Sequence, residues 1–139
     1  MVMEAEPFEI AVQIHPGDVD GMGHVNNIVY VRWIQEVALA HWVAVAPAEA
    51  QAAMTWVVLR HEIDYLRAAL PGDAIRARTW IGQAQAIRYE RFTEIVRADG
   101  TVLARGRTLW CPVDIHTGRP RRVPPDVRVA FSAPDEAVE

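Results

Sequence analysis

A chain of 139 residues is the length of one domain, and at that size folding removes roughly two thirds of the unfolded surface from water. With 14 basic and 18 acidic residues its formal charge is −4, so no overall basic field favours nucleic acid or an anionic membrane surface. The amino-terminal MVMEAEPFEI has no basic and apolar signal-peptide regions, and no apolar run approaches about 18 residues, so a soluble cytoplasmic protein is expected.

Phe8, Ile10, Val12 and Ile14 alternate with Glu9, Ala11 and Gln13, the period-2 pattern of a half-buried strand. Pro16 to Gly23 breaks it. From Asn26 or Asn27, either a good N-cap, a helix is expected to about Ala46, with Pro47 as its stop. The helix is apolar on nearly every side: Tyr30, Trp33, Ile34, Val37 and Val45 form one stripe, and Val31, Leu39, Trp42 and Val43 cover much of the rest. Arg32, Gln35, Glu36 and His41 alone interrupt it, so protein should surround the helix.

An Ala/Glu-rich connection leads to four strand-like runs, Thr55 to Leu66, Asp73 to Ile81, Ala86 to Ala98 and Thr101 to Ile115. Turns are expected at Pro71-Gly72-Asp73, at Asp99-Gly100 and at DIHTGRP, Asp114 to Pro120. Pro124-Pro125 should end the ordered core, and Ala133 onward should be a loose tail. Strand, buried helix, then consecutive antiparallel strands predicts one α+β domain over residues 1–139, ordered from about 8 to 131, with the sheet curving around the helix. One sheet cannot cover a helix that is apolar all round, so a homodimer is the smallest expected unit.

The stretch GDVDGMGHVNNIVY, Gly17 to Tyr30, concentrates the groups that carry chemistry. Asp18, Asp20 and His24 could ligate a metal, but the shell is incomplete and a calcium loop would need Glu where the chain has Val29. Gly17, Gly21 and Gly23 do not fit a dinucleotide loop, and no parallel βαβ unit follows. No metal and no cofactor is expected. All 14 basic residues are Arg, which removes a Schiff-base lysine and the P-loop lysine. The only Ser is Ser132 in the terminal FSAPDEAVE, which argues against a serine triad, and the single Cys111 reads as a buried thiol.

Two readings of the stretch remain. In one it is a capped, glycine-rich turn with Asp18 and Asp20 solvated and His24 incidental. In the other, free backbone N–H groups around Val25 to Ile28 and the helix dipole polarise a carbonyl, while Asp20 attacks it or deprotonates a water that does.

At GDVDGMGHVNNIVYVRW, IDYLRAALPGD and ARGRTLWCPVDIHTGRPRRVP the sequence resembles the hotdog-fold acyl-CoA thioesterases of the 4-hydroxybenzoyl-CoA thioesterase-like branch, in family order from about Phe8 to Pro124. The resemblance implies a long helix wrapped by a five-stranded antiparallel sheet, dimers or tetramers with sites at the dimer interface, and hydrolysis of a thioester to carboxylate and free CoA. It implies Asp20 as the catalytic carboxylate and the backbone N–H of Asn27 as the polarising donor, with Gly23 and His24 shaping the loop. Many relatives carry an acid where this helix has Gln35; Glu36 is turned from it by about 100°, leaving Asp20 to carry the chemistry largely alone.

Further candidates are less specific. His61, on the apolar face Val57, Leu59, His61, Ile63, Tyr65, is either a hydrogen-bonded core or interface residue or a pocket residue facing Asp20 of a second subunit. Tyr30 is either core or lines the acyl pocket. Arg88, Arg91, Arg119, Arg121 and Arg122 could each hold CoA phosphates. The substrate carrier is CoA or an acyl carrier protein. Two alternatives are a hotdog-fold enoyl-CoA hydratase or dehydratase and a non-catalytic acyl-CoA-binding protein.

Overall fold

The computed structural model describes residues 7–131. In chain order these form β1 (Phe8–Val12), a 3-10 turn (Pro16–Asp18), α1 (Asn27–Val45), α2 (Ala48–Ala53), β2 (Met54–Tyr65), β3 (Ile75–Gln85), β4 (Arg88–Arg97), β5 (Val102–Asp114) and α3 (Pro125–Ala130). The five strands make one antiparallel sheet in the order β1-β3-β4-β5-β2, with α1 packed on β1, β3 and β4. This is the expected α+β architecture of a central helix and a curved sheet.

Local chemistry sets the ends of α1. The Asn26 side chain accepts from the Ile28 N–H at 3.2 Å, and Ala46, held extended ahead of Pro47, donates its N–H back to Trp42. Val29, Trp33, Ile34 and Val37 are buried against the sheet. Gly106 on β5 makes room for that contact: a Cβ there would lie 2.9 Å from Ile34 Cδ1.

Three local signals misled the sequence reading. The Ala/Glu-rich connection is the helix α2, whose six residues are too few to display a helical period. Pro124 and Pro125 begin α3 instead of ending the core, because the first helical position needs no N–H; Val127 and Phe131 are then buried against Trp42 and Tyr89. The strand expected to end at Ile81 runs on to Gln85, and the turn to β4 falls at Ala86-Ile87, with Ala86 in the left-handed region at φ 50°.

A further difference lies in β2, where the register shifts between Val58 and Arg60. That bulge reverses the alternation, so Trp56 and Val58 face inward before it and His61 and Ile63 after it, while Val57 and Leu59 are exposed. The continuous face Val57-Leu59-His61-Ile63 is therefore corrected. His41, counted as a polar interruption of the helix, is buried. In the single chain Ile28, Leu39 and Val43 of α1 are exposed, so one face of the helix lacks cover from its own sheet. The expected tail from Ala133 lies outside the described residues.

Gly106→Val is expected to lower the unfolding free energy by about 1–3 kcal/mol, since the added methyls overpack Ile34. Denaturant unfolding measures this, and Gly106→Ala should cost less because the Ile34 side-chain tip can yield.

Candidate active site

The segment between β1 and α1 folds back on itself through a short antiparallel bridge, Val19 to Val25. Asp20 donates its N–H to the His24 carbonyl at 2.7 Å, and Asn26 donates to the Asp18 carbonyl at 2.8 Å. Gly23 stands at the reversal with φ 76°, a conformation glycine adopts without the Cβ penalty. The loop thus brings both Asp residues to the start of α1.

The two carboxylates have different work. Arg32, one turn into α1, donates Nη1 to Asp18 Oδ1 at 2.8 Å and Nη2 to Oδ2 at 2.7 Å, and the His15 N–H adds a third bond at 2.7 Å. This pairing holds the buried Asp18 carboxyl at about 2, below its ordinary 3.8. Asp18 is a clamp between loop and helix.

Asp20 is exposed. Its Oδ1 accepts from the N–H groups of Met22 at 2.9 Å and His24 at 3.1 Å, whereas Oδ2 has no partner among the described residues. One oxygen fixes the carboxylate, and the other stays available. At the helix start the Ile28 N–H is capped by Asn26 and the Val29 N–H donates to the Asn26 carbonyl, leaving the Asn27 N–H without an acceptor among the described residues. His24 is exposed on the same loop.

Of its two expected positions, core or pocket, Tyr30 takes the core. It is 2 % exposed, edge-on to Trp33 and Tyr65, and its hydroxyl accepts from the Ala69 N–H at 2.9 Å. Ala69 in turn accepts from the Val25 N–H at 2.9 Å, so Tyr30 positions the loop from within the core. Tyr65 donates its hydroxyl to the Asn27 carbonyl at 3.1 Å and braces the same helix end.

His61 is half-buried beside Thr108, with 3.0 Å between Nδ1 and Oγ1; burial pushes its pKa down, and Nε2 has no partner among the described residues. It belongs to neither the loop nor the cavity described below. Arg88 lies on the outer face of β4, opposite the inward Tyr89, in a shallow groove with Gln83, Glu90 and Arg107. Arg121 pairs with Asp114. Cys111 is buried with its thiol raised by desolvation, which leaves it a poor nucleophile. Among the described residues no three His, Cys, Asp or Glu side chains converge on a metal position.

A cavity of about 440 Å³ lies between α1 and the sheet. Gln35, Leu39 and Trp42 form its helix side, Trp56, Val58 and Trp110 its β2–β5 side, and Tyr89, Arg91 and Phe131 its end. Gln35 thus faces this space, while Glu36 turns away toward Arg32, 3.4 Å from its Nε. Arg91 was grouped with the phosphate-binding candidates, but it is 5 % exposed and inward, so it cannot meet a CoA phosphate at the surface. Burial and the neighbouring Arg91 hold the His41 ring down to about 3, so it is neutral and accepts from Arg91 through Nδ1 at 3.0 Å.

Asp18→Asn is expected to reduce stability by about 1–2 kcal/mol at neutral pH. The folded carboxyl is depressed, so its contribution is full above the ordinary 3.8 and is lost as pH falls toward 2. Denaturant unfolding across that window should show wild type and variant converging; a deficit independent of pH would refute the ion pair as its source.

Comparison with known proteins bears on the fold and the family. No curated protein matches the chain. A predicted thioesterase from Bacillus stearothermophilus superposes with TM-score 0.79 at 25% identity, over 94% of this chain and 100% of that one. A thioesterase from Thermus thermophilus, solved with coenzyme A and zinc, gives 0.76 at 24% identity over 88% and 90%. A 1,4-dihydroxy-2-naphthoyl-CoA thioesterase from Synechocystis gives 0.76 at 20% identity over 91% and 96%. The family model of the thioesterase-like superfamily matches residues 14–131, from just after β1 through the loop, α1 and the other four strands to α3, and the chain accordingly belongs to that superfamily as a hotdog-fold thioester hydrolase.

Proposed function

We propose that the chain hydrolyses acyl-CoA thioesters with Asp20 as the catalytic carboxylate and the Asn27 N–H as the donor to the thioester oxygen. The observation that carries this reading is the pairing of an anchored carboxylate having one free oxygen with a helix start having one free N–H. Charge developing on the carbonyl oxygen is stabilised at a helix amino terminus by that N–H and by the dipole. Gly23 and His24 set the path of the loop around this point.

Asp20 Oδ2 serves either of two routes. As a general base it takes a proton from water, whose oxygen attacks the carbonyl carbon. As a nucleophile it forms an anhydride that water then opens. In both the carbon–sulfur bond breaks, the CoA thiolate leaves and takes up a proton, and the acyl group departs as a carboxylate. Acyl-CoA is favoured as substrate because the Thermus thermophilus relative was solved with coenzyme A and the Synechocystis relative is a CoA thioesterase. The cavity beside α1 is the natural acyl pocket, being mostly apolar and lined by three Trp.

A homodimer completes the same reading. Ile28, Leu39 and Val43 on α1 and Val57 and Leu59 on β2, an edge strand, are exposed and apolar. Leu39 and Thr55, both exposed, also border the cavity, so a second copy covering this side would close it.

Asp20→Asn should lower kcat by about 100- to 10,000-fold with acyl-CoA substrates, measured by thiol release. Its amide oxygen can still accept from Met22 and His24, so unfolding should be unchanged; full activity would sink the assignment. Label found in Asp20 after a single turnover in ¹⁸O water would establish the anhydride, opened at its aspartyl carbonyl. Sedimentation should give a dimer that Leu39→Glu weakens.

A further inference from the structure

Arg91 is the most buried arginine whose side chain lines a space, and it has no anion. Several other arginines are matched to carboxylates, Arg32 with Asp18, Arg78 and Arg105 with Glu94, and Arg107 with Glu90. Arg91 instead has neutral neighbours. Nη1 donates to His41 Nδ1 at 3.0 Å and to Thr79 Oγ1 at 3.1 Å, and the guanidinium lies 5.7 Å from the Phe131 ring centre. Thr79 is itself fixed by donating its hydroxyl to the Phe92 carbonyl at 2.7 Å. These contacts hold one corner of the fork and leave Nε and Nη2 without an acceptor among the described residues.

The cavity that Arg91 lines contains no Asp or Glu among the described residues. Two further side chains lining it, Trp56 and Trp110, also carry buried N–H groups with no acceptor there. The space therefore has unsatisfied donors, one of them cationic, and no anion of its own. A buried cation without a counter-charge is costly, and the same low dielectric that makes it costly strengthens its attraction for an anion that enters. A carboxylate matches a guanidinium with two parallel bonds.

We propose that the cavity is specific for acyl groups carrying a second carboxylate at the end remote from the thioester, with Arg91 as the residue that binds it. This specificity rests on the cavity being the acyl pocket of the proposed thioesterase. Tight apolar walls alone would discriminate chain length; Arg91 adds a penalty for a methyl end, which would leave the guanidinium enclosed and unpaired.

Three series of acyl-CoA of equal chain length, from four to sixteen carbons, ending in methyl, hydroxyl or carboxylate, test this by thiol release. The wild type should favour the carboxylate series by at least tenfold in kcat/KM at its best length, and Arg91→Met should reverse the order while retaining turnover of the methyl series. Equal or better hydrolysis of the methyl or hydroxyl series at every length by wild type would overturn the proposal, whether or not the variant folds. Binding of the free α,ω-dicarboxylates is measured separately by calorimetry, and should be seen with wild type and not with Arg91→Met. If no acyl-CoA of any series is cleaved yet the free dicarboxylates bind through Arg91, the thioesterase reading fails and the anion site stands. If neither the free dicarboxylates nor the carboxylate series is preferred, the anion site fails while hydrolysis of the others keeps the thioesterase.

Discussion

The two parallel hydrogen bonds between Arg32 and Asp18 fix the geometry on which the candidate active site depends. Without them the glycine-rich segment between β1 and α1 would be joined to the helix only at its ends, and a chain with three glycines in seven residues, Gly17 to Gly23, has many conformations to lose. The clamp acts together with two others. Arg32 and Trp33 both donate to the Gln13 carbonyl, which ties the end of β1 to the same turn of α1, and Tyr30 reaches through Ala69 to Val25. All three originate within about one turn of one rigid helix, Tyr30 to Trp33. The loop is therefore positioned by a structure whose own stability comes from burial elsewhere.

This arrangement separates support from chemistry. Asp18 spends both oxygens on the scaffold and is held strongly ionised; Asp20 spends one oxygen on its own loop and keeps the other. A reactive carboxylate needs a fixed direction and a free lone pair together, and anchoring it through one oxygen to backbone N–H groups satisfies both conditions. A bidentate salt bridge at Asp20 would have fixed it equally well but occupied the second oxygen too.

How much of this the sequence disclosed follows from the range of the interactions. Asn26 as N-cap, Pro47 as stop and Asp99-Gly100 as hairpin all rest on residues close in the chain, and motif and period displayed them. The β2 bulge could not be seen, because it depends on pairing with β5 about fifty residues away. Strict alternation along β2 therefore predicts one continuous face where the bulge makes two. Tyr30 offers the same lesson: its aromatic ring suited core or pocket, and only the distant Ala69 N–H decides between them. For Arg91 a period-2 reading of Tyr89, Arg91, Thr93 and Ile95 would have placed it inward, but Arg as a residue type suggested the surface and a phosphate.

The inward Arg91 bears on why the carboxyl-terminal part of the fold is built as it is. His41 and Phe131 both contact the guanidinium, and Phe131 follows α3, the helix that begins where the chain was expected to lose order. Phe131 stacks on Trp42 and meets His41 edge-on, so α3 seals the end of the cavity around the cation. Were Arg91 only a packing residue, an apolar side chain of similar volume would serve with less desolvation cost. Neutral His41, accepting one N–H and contributing no charge, is what keeps the site cationic; a carboxylate at that position would neutralise Arg91 within the protein and remove its attraction for an acid. On the proposed reading the fold holds two opposed groups for one substrate, the Asp20 carboxylate at the helix start and the Arg91 cation in the cavity, each fixed through one part of its side chain and open through the other.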